Sequence, residues 1–203
     1  MFTLEIINFV NLHTLVILSE TTSGMPAKQF LFACNVHDSN GAQSFILTCL
    51  DAVREVLPWA KIEVRMDAAF FSDEIIEALV DREAEFTISV PFERFVQLKG
   101  MIEQRRRWHR LDGESAYFQI SWKPQCWDSR FRFIFIRTRT KQQQKGPVQL
   151  DLFIPYDYGY EFKVIVTNKM LTAKRVAAYH EGRGSQEGIF AELKSHCHLD
   201  YTA

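Results

Sequence analysis

Apolar residues recur along this chain with two different periods. Leu12–Glu20 and Gln29–Asn35 are rich in β-branched and aromatic residues, and Thr22-Ser23-Gly24-Met25-Pro26 between them carries turn chemistry, so the pattern predicts two strands. From Ser39 the period lengthens. Ala42, Phe45, Ile46, Cys49, Leu50 and Val53 recur at helical spacing, Ser39 offers a capping hydroxyl, and Pro58 stops the helix after about Leu57. Lys61–Met66 predicts a short strand with Asp67 at its carboxyl end. Ser72 then opens a second helix on Ile75, Ile76, Leu79 and Val80, and Glu85–Val90 predicts another strand. The order strand–strand–helix–strand–helix–strand describes an α/β layer fold with helices packed on a sheet.

Past Pro91 the pattern changes. A helix over FERFVQLKGMIEQ runs into Arg105, Arg106 and Arg107. Four strands are then predicted, YFQISW, RFRFIFIRTRT, VQLDLFI and YEFKVIVTN, with turns at Gly113, Pro124, Gly146-Pro147 and Asp157-Tyr158-Gly159. Gln142–Gln144 forms a polar tip. The last long stretch, Tyr179–Lys194, spaces Arg183, Glu187 and Lys194 at i, i+4 and i+11. On a helix turning about 100° per residue they fall within roughly 40° of one another. Ile189, Phe190 and Leu193 flank that stripe and can pack inward. Such a helix presents an arginine, a carboxylate and an amine together; a solvated amphipathic helix with ordinary i, i+4 pairs has the same stripe.

Composition narrows the class. The 203 residues, 17 of them phenylalanine, suffice for one substantial core, or one core plus an insertion. No apolar run reaches the length of a membrane span, and the first residues carry Glu5, Asn8 and Asn11 with no basic lead, so neither a transmembrane helix nor a signal peptide is expected. Cys34, Cys49, Cys126 and Cys197 form no CxxC, which fits free thiols in a reducing cytoplasm. His196-Cys197-His198 is not read as a metal site, because adjacent helical residues point apart.

Net charge is only −1, but its distribution is uneven. Residues 1–93 hold 5 Lys+Arg against 14 Asp+Glu, a balance of −9; residues 94–145 hold 13 against 4, a balance of +9. A basic segment is the footprint of phosphate contact, or else a solvated face. Arg105, Arg106, Arg107 and Arg110 gathered around Trp108 favour the first.

Three segments in order resemble the DDE-type insertion-sequence transposases of the RNase H-like superfamily. The first is ETTSGMPAKQFLFACNVHDSNGAQSFI, whose Asn35–Ala42 matches that family's helix start. The second is RMDAAFFSDEIIEALVDREAEFTISVPF, an Arg-x-Asp-(small)-x-Phe motif after a strand. The third is the stretch with Tyr179, Arg183, Glu187 and Lys194, in which Tyr179 stands one residue further from the arginine than the commonest spacing. The resemblance covers roughly residues 12–198. It implies an α/β, RNase H-like mixed sheet flanked by helices and interrupted by a β-rich insertion. Residues 1–92 would form the first part of the catalytic core, 93–159 the basic insertion, and 160–203 the second part with the glutamate helix.

The resemblance also implies chemistry. Asp67 and Glu187 would be catalytic carboxylates holding Mg²⁺ or Mn²⁺ for phosphodiester cleavage and strand transfer in DNA transposition. Arg183 and Lys194 would hold phosphates, and Tyr179 would contact the cleaved strand. Arg105, Arg106, Arg107 and Trp108 would touch DNA in the insertion, where one of Trp108, Trp122 and Trp127 either stacks on a flipped base or packs in the sheet. The partners are transposon-end and target DNA and a second copy of the chain; no membrane is involved. The sequence departs from the family at its start. The first catalytic aspartate belongs on a strand upstream of Leu12–Glu20, where MFTLEIINFVN offers only Glu5. The expected DNA-binding domain before it and the helical segment after the glutamate helix are missing too. The expectation is therefore a truncated transposase domain unable to complete a two-metal site alone. The alternatives are a non-catalytic DNA-binding remnant and an unrelated α/β domain.

Overall fold

Strands and helices alternate through the first half of the chain, and strands dominate the described part of the second. The structure is a computed structural model and describes residues 2–8, 14–20, 29–34, 39–56, 58–59, 61–91, 95–140 and 159–181. Three strands come first, β1 (Phe2–Asn8), β2 (Thr14–Glu20) and β3 (Gln29–Cys34). Helix α1 (Ser39–Val56), β4 (Ile62–Met66), α2 (Asp73–Asp81) and β5 (Glu85–Ser89) follow. Then come α3 (Val96–Glu103), β6 (His109–Arg110), β7 (Ser115–Trp122), β8 (Phe131–Arg139), β9 (Tyr160–Thr167) and α4 (Ala173–Glu181).

The strands make one mixed sheet in the order β3-β2-β1-β4-β5-β9-β8-β7-β6. β1 runs antiparallel to β2 and parallel to β4, and β4 is parallel to β5. The β3-β2-β1-β4-β5 portion is consistent with an RNase H-like domain, the expected α/β fold. β9 returns antiparallel onto β5, and β8 and β7 continue from it, so these later strands extend the same sheet. The chain divides into two compact units, Met1–Lys169 and Met170–Ala203. The sheet and α1–α3 belong to the first, α4 to the second.

Alternation along the strands fixes which face is the core. Ile62, Val64 and Met66 on β4 match Phe86 and Ile88 on β5, Val164 and Val166 on β9, and Phe133 and Phe135 on β8. All are buried, and they join Ile46, Leu50 and Val53 of α1, Ile76 and Leu79 of α2, and Leu98 and Ile102 of α3 in one hydrophobic cluster. The helices therefore cover this face because their apolar stripes and the strands' alternate positions need the same shelter from water. α2 begins as predicted: Ser72 accepts a hydrogen bond from the Ile75 amide at 3.3 Å.

Three elements depart from the sequence reading, the two-residue β6 among them. The pattern reading begins at Leu12 and passes over β1, although Phe2, Leu4 and Ile6 alternate with Thr3 and Glu5; only the resemblance sets a strand upstream of Leu12. α3 starts at Val96 with Phe95 as an N-cap lacking a side-chain bond, later than Pro91 suggested. The predicted strand VQLDLFI and the Gln142–Gln144 tip lie outside the described residues.

Candidate functional site

Asp67 is placed by the way β4 ends. Its backbone leaves the strand at φ −82° and ψ −176°, and its Oδ1 accepts the Ala69 N–H at 2.9 Å, capping a single 3-10 turn over Ala68–Phe70. Phe70 and Phe71 anchor that turn, at 2% and 3% exposure. The Phe71 ring meets Trp127 at 4.9 Å, Phe95 at 5.4 Å and Phe133 at 6.3 Å between centroids. A half-buried carboxylate is thus fixed at the carboxyl end of a parallel strand, where open α/β sheets place their sites.

The neighbouring strands define what stands beside it. The last β1–β4 pair is Ile6 with Met66, and the last β4–β5 pair is Met66 with Ile88. Continued by one residue, those registers set Ile7 and Ser89 at the level of Asp67. Glu5 pairs with Arg65, two residues short of that level. Among the described residues no group of three or more His, Cys, Asp and Glu could hold a metal ion. Arg183, Glu187 and Lys194 lie outside the described residues. Tyr179 lies on α4, in the second unit.

A basic ribbon overhangs the same end of the sheet. Ser89 pairs with Ile165, and the Val90 amide donates to Val164, after which β5 has no further partner for β9. β9 and β8 continue together from Lys163 with Ile136 to Tyr160 with Arg139. At about 3.3 Å per residue this ribbon projects on the order of 13 Å past β5. Arg105, Arg106 and Arg107 are exposed beside it. The Trp108 indole N–H donates to the Arg105 carbonyl at 3.2 Å, and Arg105 Nε donates to the Arg107 carbonyl at 2.9 Å.

The tryptophans are packed among other rings. Trp108 lies edge-to-face with Phe118 at 4.7 Å, and the Arg137 guanidinium sits 4.5 Å over its ring. Trp122 meets Phe133 and Phe95, and Trp127 meets Phe71 and Phe131. Arg137 and Tyr160, which complete the Trp108 stack, escaped the sequence reading. The alternation of RFRFIFIRTRT was the available signal.

The opposite end of the sheet carries a buried charge network that was also unforeseen. Glu63 and Glu85 pair across β4 and β5. Lys169, 1% exposed, donates to Glu63 and, at 2.7 Å, to Glu85. Lys61 reaches Glu85 from outside at 2.6 Å. Partial burial pushes the Glu85 carboxyl up, but the hydrogen bonds and charges of Lys169 and Lys61 outweigh it and hold this carboxyl below its ordinary range.

Among the described residues no helix is long and apolar enough to cross a membrane. No curated protein matches the chain. The family model for the transposase DDE domain matches residues 10–202, which takes in everything from just after β1 to the penultimate residue. With nearly its whole length matched, and with the strand order and Asp67 placed as above, the chain belongs to the DDE transposase family.

Proposed function

We propose that this chain is the catalytic domain of a DNA transposase with an incomplete set of metal-binding carboxylates. The reading rests on Asp67, a carboxylate held at the carboxyl end of a parallel strand in a chain whose family uses divalent metal on DNA. Asp67 and Glu187 are the catalytic pair and offer oxygen donors suited to Mg²⁺ or Mn²⁺. Such an ion supplies Lewis-acid activation of water or a 3′-hydroxyl. Arg183 and Lys194 hold flanking phosphates, and Tyr179 contacts the cleaved strand. Arg105, Arg106, Arg107 and Trp108, within residues 93–159, engage the transposon end. Two copies act on paired ends in the cytoplasm.

The third carboxylate is what this chain does not offer at the expected level. β1 lies parallel to β4, and its register brings Ile7, which has no oxygen donor on its side chain, beside Asp67. Glu5 falls about 7 Å short along the strand. The same observation favours a second reading, a DNA-binding remnant without cleavage activity. Calorimetry with Mn²⁺ tests the site: binding by the parent chain that is lost in both Asp67→Ala and Glu187→Ala puts the two carboxylates together. Efficient metal-dependent DNA cleavage by the parent would sink the incomplete-site reading. Salt-dependent duplex binding with no cleavage is the outcome expected of the remnant.

A further inference from the structure

The overhanging ribbon holds one guanidinium in an unusual setting. Arg137 of β8 lies between two aromatic rings, 4.5 Å over Trp108 and 4.7 Å over Tyr160. Tyr160 belongs to β9, two residues from Phe162, which pairs with Arg137 across the strands. Trp108 comes from the arginine-rich segment and is clamped by Phe118, by Phe162 at 6.2 Å and by its bond to the Arg105 carbonyl. The two rings fix the plane of the guanidinium. Its Nε is buried and meets no hydrogen-bond acceptor, and no described carboxylate forms a salt bridge with it.

A cation held by ring faces keeps its in-plane N–H fork for an anion, and a planar fork matches the oxygens of a phosphate. Arg139 stands two residues further along the same face of β8, and Arg105 lies 4.8 Å over the Phe118 ring nearby. Both add positive charge without supplying an acceptor that would occupy Arg137.

We infer that Arg137, stacked between Trp108 and Tyr160, is a phosphate-binding site for duplex DNA, and that Trp108 acts as its positioning residue. The inference rests on the transposase reading for the identity of the polyanion. Arg137 stands three residues beyond the level of Asp67 and three strands across, roughly 17 Å away at about 3.3 Å per residue and 4.8 Å per strand. That separation is shorter than one helical turn of duplex, about 34 Å, so one duplex can reach both positions.

Fluorescence anisotropy with a short labelled DNA duplex, titrated with salt, tests this on the full chain. Arg137→Ala should weaken binding and lower the salt slope by about one contact. Arg137→Lys keeps the charge and loses the planar fork; it should keep the slope and still bind about tenfold more weakly. Trp108→Leu should raise the dissociation constant of the parent, yet cause little further loss when added to Arg137→Ala, a non-additivity that a merely structural role would not give. Thermal unfolding of each variant identifies any that misfolds, and Arg137→Lys is the variant that keeps the test decisive in that case. Arg137→Ala and Arg137→Lys binding like the parent, while Arg106→Ala/Arg107→Ala loses affinity, would overturn the inference and leave the transposase reading standing. A parent chain that binds no duplex at any salt overturns both.

Discussion

Lys169→Met probes how the sheet is held at the end away from Asp67. Lys169 and Glu63 are 1% and 2% exposed, and Glu85 pairs directly with Glu63 on the neighbouring strand. Removing one partner of a buried ion pair costs about 3–5 kcal/mol, because the remaining charge stays buried and unpaired. Here two carboxylates on paired strands about 4.8 Å apart would lose their shared cation. Lys61 reaches only Glu85, and its own side chain is 59% exposed. The upper part of the range therefore applies, about 4–5 kcal/mol, which for a domain of this size lowers Tm by roughly 8–20 °C. Methionine preserves most of the lysine stem's volume, so packing contributes little. The control is Lys169→Met/Glu63→Gln. Neutralising both partners is often close to neutral, so the double variant should recover about 2 kcal/mol or more. Circular dichroism melts and urea unfolding of the parent and the variants read these values. A Tm for Lys169→Met within about 2 °C of the parent, or strictly additive losses in the double variant, would refute the reasoning.

Other expectations follow from single features. Glu83 adopts φ 52° where α2 turns into β5, so Glu83→Gly should relieve left-handed strain and, after glycine's entropic cost, gain about 0.5–1 kcal/mol in urea unfolding. Phe71→Ala should cost about 3–5 kcal/mol and weaken the turn that holds Asp67, read by melting and by Mn²⁺ calorimetry. Glu85 has a depressed folded pKa, so it adds stability above its ordinary 4.5 and loses it as pH falls through the folded value; Glu85→Gln should flatten the stability curve below pH 4.5. Ile7→Asp should place a carboxylate beside Asp67 and raise Mn²⁺ affinity over the parent chain.

The sequence was most legible where one face is wet. The helices α1 and α2 read directly from their apolar spacing, and Ser72 announced the start of α2 through its hydroxyl. Asp67 was legible as a strand end because a capping residue follows five strand positions. β1 is passed over although Phe2, Leu4 and Ile6 alternate with Thr3 and Glu5, and its pairing with β2 and β4 gives it its place. The two-residue β6 is below any periodicity and exists through its bonds to Tyr117 and Ala116. The Lys169 network joins residues 106 positions apart, and no local pattern in the sequence records such a distance. The Trp108–Arg137–Tyr160 stack escaped for the same reason: its three members come from a loop and two separate strands.

A chain of net charge −1 has no evident reason to attract a polyanion, and the pairing pattern supplies one. Several acids of the first segment are answered within the fold: Glu63 and Glu85 by Lys169, Glu85 again by Lys61, and Asp51 by Arg82 at 2.9 Å. Their local fields largely cancel. The arginines of the ribbon are held differently. Arg105 and Arg110 donate to the backbone carbonyls of Arg107 and Asp112, and Arg137 lies against rings. Carbonyls and ring faces fix a guanidinium without removing its charge. Positive potential therefore survives on the ribbon that overhangs the Asp67 end of the sheet. On the proposed reading this asymmetry draws duplex phosphates toward the site, with a rate that falls as salt screens the ribbon. The −9 and +9 segments are thus not two independent surfaces. Lys169 offsets one further charge of the first segment, and the second keeps its charge for a partner.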